Sequence, residues 1–112
     1  MDFRLLGPLE VRSAGASLAL GGQKQRGVLA VLLLNANNVV TVDRVVDEVW
    51  GATPPRTVEA YIQNCVSRLR AVLGREAIET HAGSYLLRVT PEDVDAMRFV
   101  RAIEAAQALA AP

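Results

Sequence analysis

Between Asn64 and Arg70 the chain sets an amide, a hydroxyl and two guanidinium groups close together, and a helix would turn most of them to one side. Asn64 and Arg68 are four residues apart, with Ser67 between them and Arg70 just beyond. These groups suit flat heterocycles and phosphate oxygens: an amide matches adenine N6/N7, and a guanidinium matches guanine O6/N7 or clamps a phosphate. Charge singles out the same stretch. From Arg56 to Arg75 four arginines face Glu59 alone, whereas Glu76 to Asp95 holds five acids and only Arg88. The first segment suits phosphates and the second does not. Because twelve basic residues balance twelve acidic ones over the whole chain, any attraction to a polyanion must come from this distribution.

Other chemistries lack their residues. Catalysis needs a nucleophile with a base, paired carboxylates or a cofactor loop, and His81 and Cys65 are each the sole residue of their type. One cysteine precludes an intrachain disulfide and leaves a Cys/His zinc site short of ligands, so neither a metal nor a cofactor is expected. The apolar run Val28–Leu34 is too short for a bilayer, and the start MDFRLLG has no signal-peptide pattern. A cytoplasmic protein without a membrane partner is expected.

The elements that must position these groups can be read from periodicity. Phe3, Leu5, Leu9, Val11, Leu18 and Leu20 alternate in short runs broken by Gly7-Pro8 and Ser13-Ala14-Gly15, which predicts an antiparallel sheet of three strands. Gln23–Ala36 reads as a first helix with Val28, Leu29, Leu32 and Leu33 inward, and Asn35, Asn37 and Asn38 stop it. Thr41 caps a second helix over Val42–Trp50, with Trp50 as a core anchor. Thr53-Pro54-Pro55 forbids continuation. Thr57 then caps the longest helix, which runs to Leu73 before Gly74. Its inward stripe is Val58, Ile62, Val66, Leu69 and Leu73, and opposite lie Ala60, Asn64, Ser67 and Arg68, with Gln63, Arg70 and Ala71 at the edges.

After that helix, Ala77–Thr80 and Tyr85–Val89 predict a hairpin, with Tyr85 packing it onto the third helix. Its small tip residues Gly83 and Ser84, with His81 and Arg88 nearby, could straddle a minor groove. A last helix spans Asp95–Ala111. The order predicts an α+β fold, a winged helix-turn-helix: an N-terminal antiparallel sheet, three core helices and a C-terminal β-hairpin wing. Its expected ligand is double-stranded DNA, whose major groove, about 12 Å wide, admits one helix. Lys24 and Arg26, in the first turns of the first helix, would touch phosphate. Arginines opposite an apolar stripe also occur on any solvated helix. The rival reading is a winged-helix module for protein–protein interaction without intrinsic DNA binding.

The blocks LLGPLEV, GGQKQRGVLAVLLLNANNVVTVDRVVDEVWG, PPRTVEAYIQNCVSRLRAVLG and HAGSYLLRVTPEDVDAMRF occur in an order that resembles the N-terminal domain of the actinobacterial antibiotic regulatory protein family, over nearly all of positions 3 to 99. That domain is related to response-regulator output domains. The resemblance implies activation at directly repeated promoter sites and contact with RNA polymerase holoenzyme through the loop Gly51–Arg56, with Thr53 and Arg56 as contact residues; because a few base contacts give modest specificity, self-association on DNA repeats is expected as well. It places Thr57, Asn64, Ser67, Arg68 and Arg70 on the DNA-facing helix. Cys65 departs from the family, where an aromatic residue or histidine is commoner, which bears on one base or phosphate contact. The resemblance makes residues 1–92 the DNA-binding domain and residues 93–112 the first helix of a truncated helical bacterial transcriptional activation domain.

Overall fold

The inward stripe of the third helix finds its partners in a computed structural model, which describes residues 1–110. Its elements run β1 (Asp2–Arg4), β2 (Glu10–Ser13), β3 (Ala16–Ser17), α1 (Gln23–Leu34), β4 (Val40–Thr41), α2 (Val42–Val49), α3 (Val58–Leu73), β5 (Ile78–His81), β6 (Ser84–Leu87), a 3₁₀ turn (Pro91–Asp93) and α4 (Asp95–Ala110). They form two compact units, Ala19–Val89 and Met1–Leu18 with the chain from Thr90 on.

In the unit Ala19–Val89, α1 packs against α2, α3 and β6. Val28, Leu29, Leu32 and Leu33 of α1 are buried together with Val45 of α2 and Ile62, Cys65, Val66, Leu69 and Leu73 of α3. Val58 is only half-buried, because it opens the helix. The second sheet has the order β4-β6-β5 and is antiparallel throughout. It buries Val40, Ile78, Tyr85 and Leu87, so Tyr85 packs inward as expected. Ala82 and Gly83 join β5 to β6 with φ of 45° and 78°, the pair of positive values that a two-residue hairpin loop requires.

Helix ends follow local chemistry with one exception. The Thr41 hydroxyl accepts the Arg44 amide at 3.1 Å, as predicted. Thr57 does not cap with its side chain: its backbone (φ −92°, ψ 18°) is away from the extended geometry a capping side chain needs, and among the described residues no amide donates to its hydroxyl, although its carbonyl accepts the Tyr61 amide at 2.9 Å. At the end of α1, Asn37 takes φ 66°, and its amide both donates to the Val89 carbonyl (3.0 Å) and accepts the Val89 amide (2.9 Å). An asparagine just beyond the Asn35 cap of the helix thus fastens the exit of the last strand. Gln25 is buried and donates to the Leu20 carbonyl at 3.1 Å. It sits so close to Gly21 that a β-carbon there would lie 2.6 Å from its Nε2.

In the other unit, β1-β2-β3 form the predicted antiparallel sheet, in which Phe3 pairs with Val11. Ala14 and Gly15, with φ of 52° and 81°, turn β2 into β3. The Asp95 carboxylate accepts the amides of Leu5 (2.7 Å), Leu6 (3.0 Å) and Ala96 (2.7 Å). Burial alone would raise its pKa, but these three amides and Arg98 outweigh that and hold it below the usual aspartate range. On α4, Phe99, Val100 and Ile103 are exposed. Ala111, assigned to this helix by periodicity, lies outside the described residues.

Candidate nucleic-acid interface

Burying Ile62, Cys65, Val66 and Leu69 forces the intervening side chains of α3 outward. Ala60, Gln63, Asn64, Ser67, Arg68 and Ala71 are all exposed. The helix has 16 residues, about 24 Å at 1.5 Å each, enough to cross a major groove. Its exposed face is shortest at Ala60 and Ala71, with Asn64, Ser67 and Arg68 grouped between them. No ion pair or hydrogen bond among the described residues engages the side chains of Asn64, Ser67 or Arg68.

Ion pairing reconciles this face with the zero net charge. Arg4 and Arg12 pair with Asp2 and Glu10, Arg98 with Asp2, and Arg101 with Glu92. On the hairpin, Glu79 holds both His81 and Arg88, and hydrogen bonds from Arg88 first and His81 second draw its pKa below the ordinary range. By contrast, Arg56, Arg68 and Arg75 join no ion pair among the described residues. Acids therefore neutralise cations on the first sheet, α4 and the hairpin, while the basic face of α3 keeps its charge. Beside it the Cys65 thiol is raised by burial, with Arg68 opposing the shift.

Several expected site residues have other work. Arg70 is half-buried, and its Nε donates to the Ile78 carbonyl (3.0 Å) and its Nη2 to the Thr80 hydroxyl (2.8 Å), so the guanidinium faces the hairpin. Lys24 donates to the Val49 carbonyl at 3.1 Å and lies 5.6 Å from the Trp50 ring centre, where its charge meets the carbonyl end of α2. Trp50 is half-buried instead of anchoring the core, and it meets Tyr61 edge to face at 5.5 Å. Arg88 sits beside the base of the hairpin, since its amide bonds the Ala77 carbonyl, while Gly83 is at the tip and Ser84 pairs with Thr41. Thr53, Arg56 and Thr57 are exposed, and Arg26 is half-buried.

Sequence reasoning missed one part of this surface. A groove of about 490 Å³ runs between the first turns of α3 and the hairpin, lined by Glu59, Gln63, Thr41, Asp43, Thr80 and Ser84. Glu59 and Gln63 are four residues apart, the spacing that pairs side chains on a helix, and that was the available signal. Among the described residues no helix is long and apolar enough to cross a membrane.

A helix with a basic, polar outer face, followed by a hairpin that joins the earlier strand β4 in a three-stranded sheet, defines a winged helix of the DNA-binding, transcription-regulating class. Residues 16–86 match the family model described as "Transcriptional regulatory protein, C terminal", and the chain belongs to that family. The chain is 32% identical to the transcriptional regulator RedD of Streptomyces coelicolor over 97% of its own length and 33% of RedD. The structure of Mycobacterium tuberculosis EmbR, solved with a low-affinity phosphopeptide, superposes with a TM-score of 0.86 at 37% identity, covering 89% of this chain and 28% of EmbR. The DNA-binding domain of CpxR from Escherichia coli matches with a TM-score of 0.57 at 27% identity, over 70% of this chain and 81% of that domain. The likeness to the actinobacterial regulator family holds in RedD and EmbR. The chain spans about a third or less of the length of RedD and EmbR.

Proposed function

We propose that this chain binds double-stranded DNA sequence-specifically by laying α3 in the major groove, and that in its regulator it activates transcription at directly repeated promoter sites. In this reading Asn64 and Arg68 read base edges and Ser67 contacts a base or phosphate. Thr57, Arg26 and the remaining donors of Lys24 hold phosphates. Gly83 and Ser84 bring the hairpin to the neighbouring minor groove, with Arg88 at its flank. Thr53 and Arg56, on the exposed loop before α3, meet RNA polymerase holoenzyme, and copies of the domain associate on adjacent repeats. Residues 1–92 are the DNA-binding part, and the helix from Asp95 opens a helical activation domain, a reading supported by exposed Phe99, Val100 and Ile103. The protein acts in the cytoplasm and is not an enzyme.

The carrying observation is that Asn64, Ser67 and Arg68 share the exposed side of α3, where Arg68 joins no ion pair among the described residues. The test is selection of bound duplexes from a random pool, followed by affinity measurements at rising salt. A recovered repeat whose log affinity falls with log salt by about 0.9 per phosphate neutralised is expected. Failure to enrich any sequence, or affinity indifferent to salt, would reject the reading and favour a protein-contact module.

A further inference from the structure

We propose that Arg70 acts as the positioning residue that fixes the hairpin to α3 and so sets the spacing between the two DNA-contacting elements. The inference rests on the DNA-binding reading and departs from it at Arg70, whose pattern alone suggests a phosphate contact.

Arg68 and Arg70 flank the buried Leu69 and do different jobs. Arg68 is exposed and joins no ion pair or hydrogen bond among the described residues, whereas Arg70 is half-buried with two donors committed. Its acceptors are both on β5, the outer strand of the order β4-β6-β5, where carbonyls not used in the sheet need donors from elsewhere. Ile78 and Thr80 are two residues apart on this strand, close enough for a planar fork to reach the backbone carbonyl of one and the side-chain hydroxyl of the other. On the other strand register, Glu79 holds His81 and Arg88. The hairpin is thus stiffened within itself by Glu79 and tied to α3 by Arg70. A stiff hairpin transmits the geometry of its tie to its tip at Ala82-Gly83, so the reach of the tip toward DNA depends on a side chain that does not touch DNA.

The discriminating variants are Arg70→Lys and Thr80→Val. Lysine keeps the charge that a phosphate contact needs and lacks the fork that holds two acceptors, while valine keeps the branched shape and removes one acceptor. With a duplex recovered by selection, Arg70→Lys is expected to weaken binding about tenfold, the change one charge-assisted hydrogen bond carries, and Thr80→Val by a smaller factor. The double variant Arg70→Ala/Thr80→Val should be no weaker than Arg70→Ala. In amide spectra of the Arg70→Lys chain, the Gly83 signal should shift less on adding the duplex than in the wild type, while the Asn64 signal shifts as before. A merely structural loss would weaken both signals together and counts against the proposal. Wild-type affinity in Arg70→Lys together with a silent Thr80→Val overturns the clamp alone. Absence of binding by the wild-type chain overturns the DNA-binding reading beneath it.

Discussion

Substituting Leu69 and Arg68, adjacent on α3, should separate stability from recognition. Leu69 is 0% exposed, and its removal leaves a cavity at the packed face of α1 and α3. Leucine-to-alanine changes at such sites cost about 2–5 kcal/mol through lost transfer energy and the cavity left behind. For 112 residues an unfolding entropy of about 2.1 cal/mol/K per residue makes a loss of about 3 kcal/mol a fall of roughly 13 °C in Tm. Arg68→Ala removes an exposed side chain that joins no ion pair among the described residues, so stability should change by no more than about 0.5 kcal/mol. Its expected loss lies in DNA affinity, about 1–3 kcal/mol if the fork reads one base. Urea titrations followed by far-ultraviolet circular dichroism give the first quantity and duplex titration well below the transition gives the second. The reasoning is refuted if Arg68→Ala melts early with affinity intact, or if Leu69→Ala leaves the urea midpoint in place.

Three further outcomes follow from local geometry. Gly21→Ala should lower the urea midpoint, because φ at Gly21 is +85° and the added methyl would drive into Gln25; an unchanged midpoint would contradict the packing described. Ala82→Asn should raise stability by about 0.4–1 kcal/mol, since asparagine followed by glycine suits positive φ at both turn positions, and thermal melting measures the gain. Asp95→Asn should destabilise the unit containing α4 at neutral pH by about 1–2 kcal/mol. Because the folded state depresses the Asp95 pKa, this stabilisation is present above the unfolded value and is lost as pH falls through the folded one. The difference between wild type and variant should therefore close in acid, and a pH-independent difference would rule the carboxylate out as its cause.

Periodicity revealed most of this fold because the apolar residues repeat at distances set by each element. The stripe from Ile62 to Leu73, the Thr41 cap and the positive φ at Gly83 are all local features, encoded within a few residues, whereas the pairing of His81 with Ser84 shortens the expected four-residue connection to two. What stayed hidden depends on partners far along the chain. The strand β4 has two residues, too few to alternate, and exists because Val40 and Thr41 pair with Tyr85 and Ser84. Long side chains misled for the same reason: Lys24 and Arg70 read as free cations until the fold supplied the Val49 and Ile78 carbonyls. Thr57 has the right identity for a cap and the wrong backbone angles, which no residue type reveals.

The outward face of α3 as a reader of bases is tested most directly by measuring Arg68→Ala against a panel of duplexes carrying every single-base change in the selected site. The account predicts that discrimination collapses at one base position, by about 1–3 kcal/mol, while preferences elsewhere persist. An unaltered preference profile at every position would contradict it.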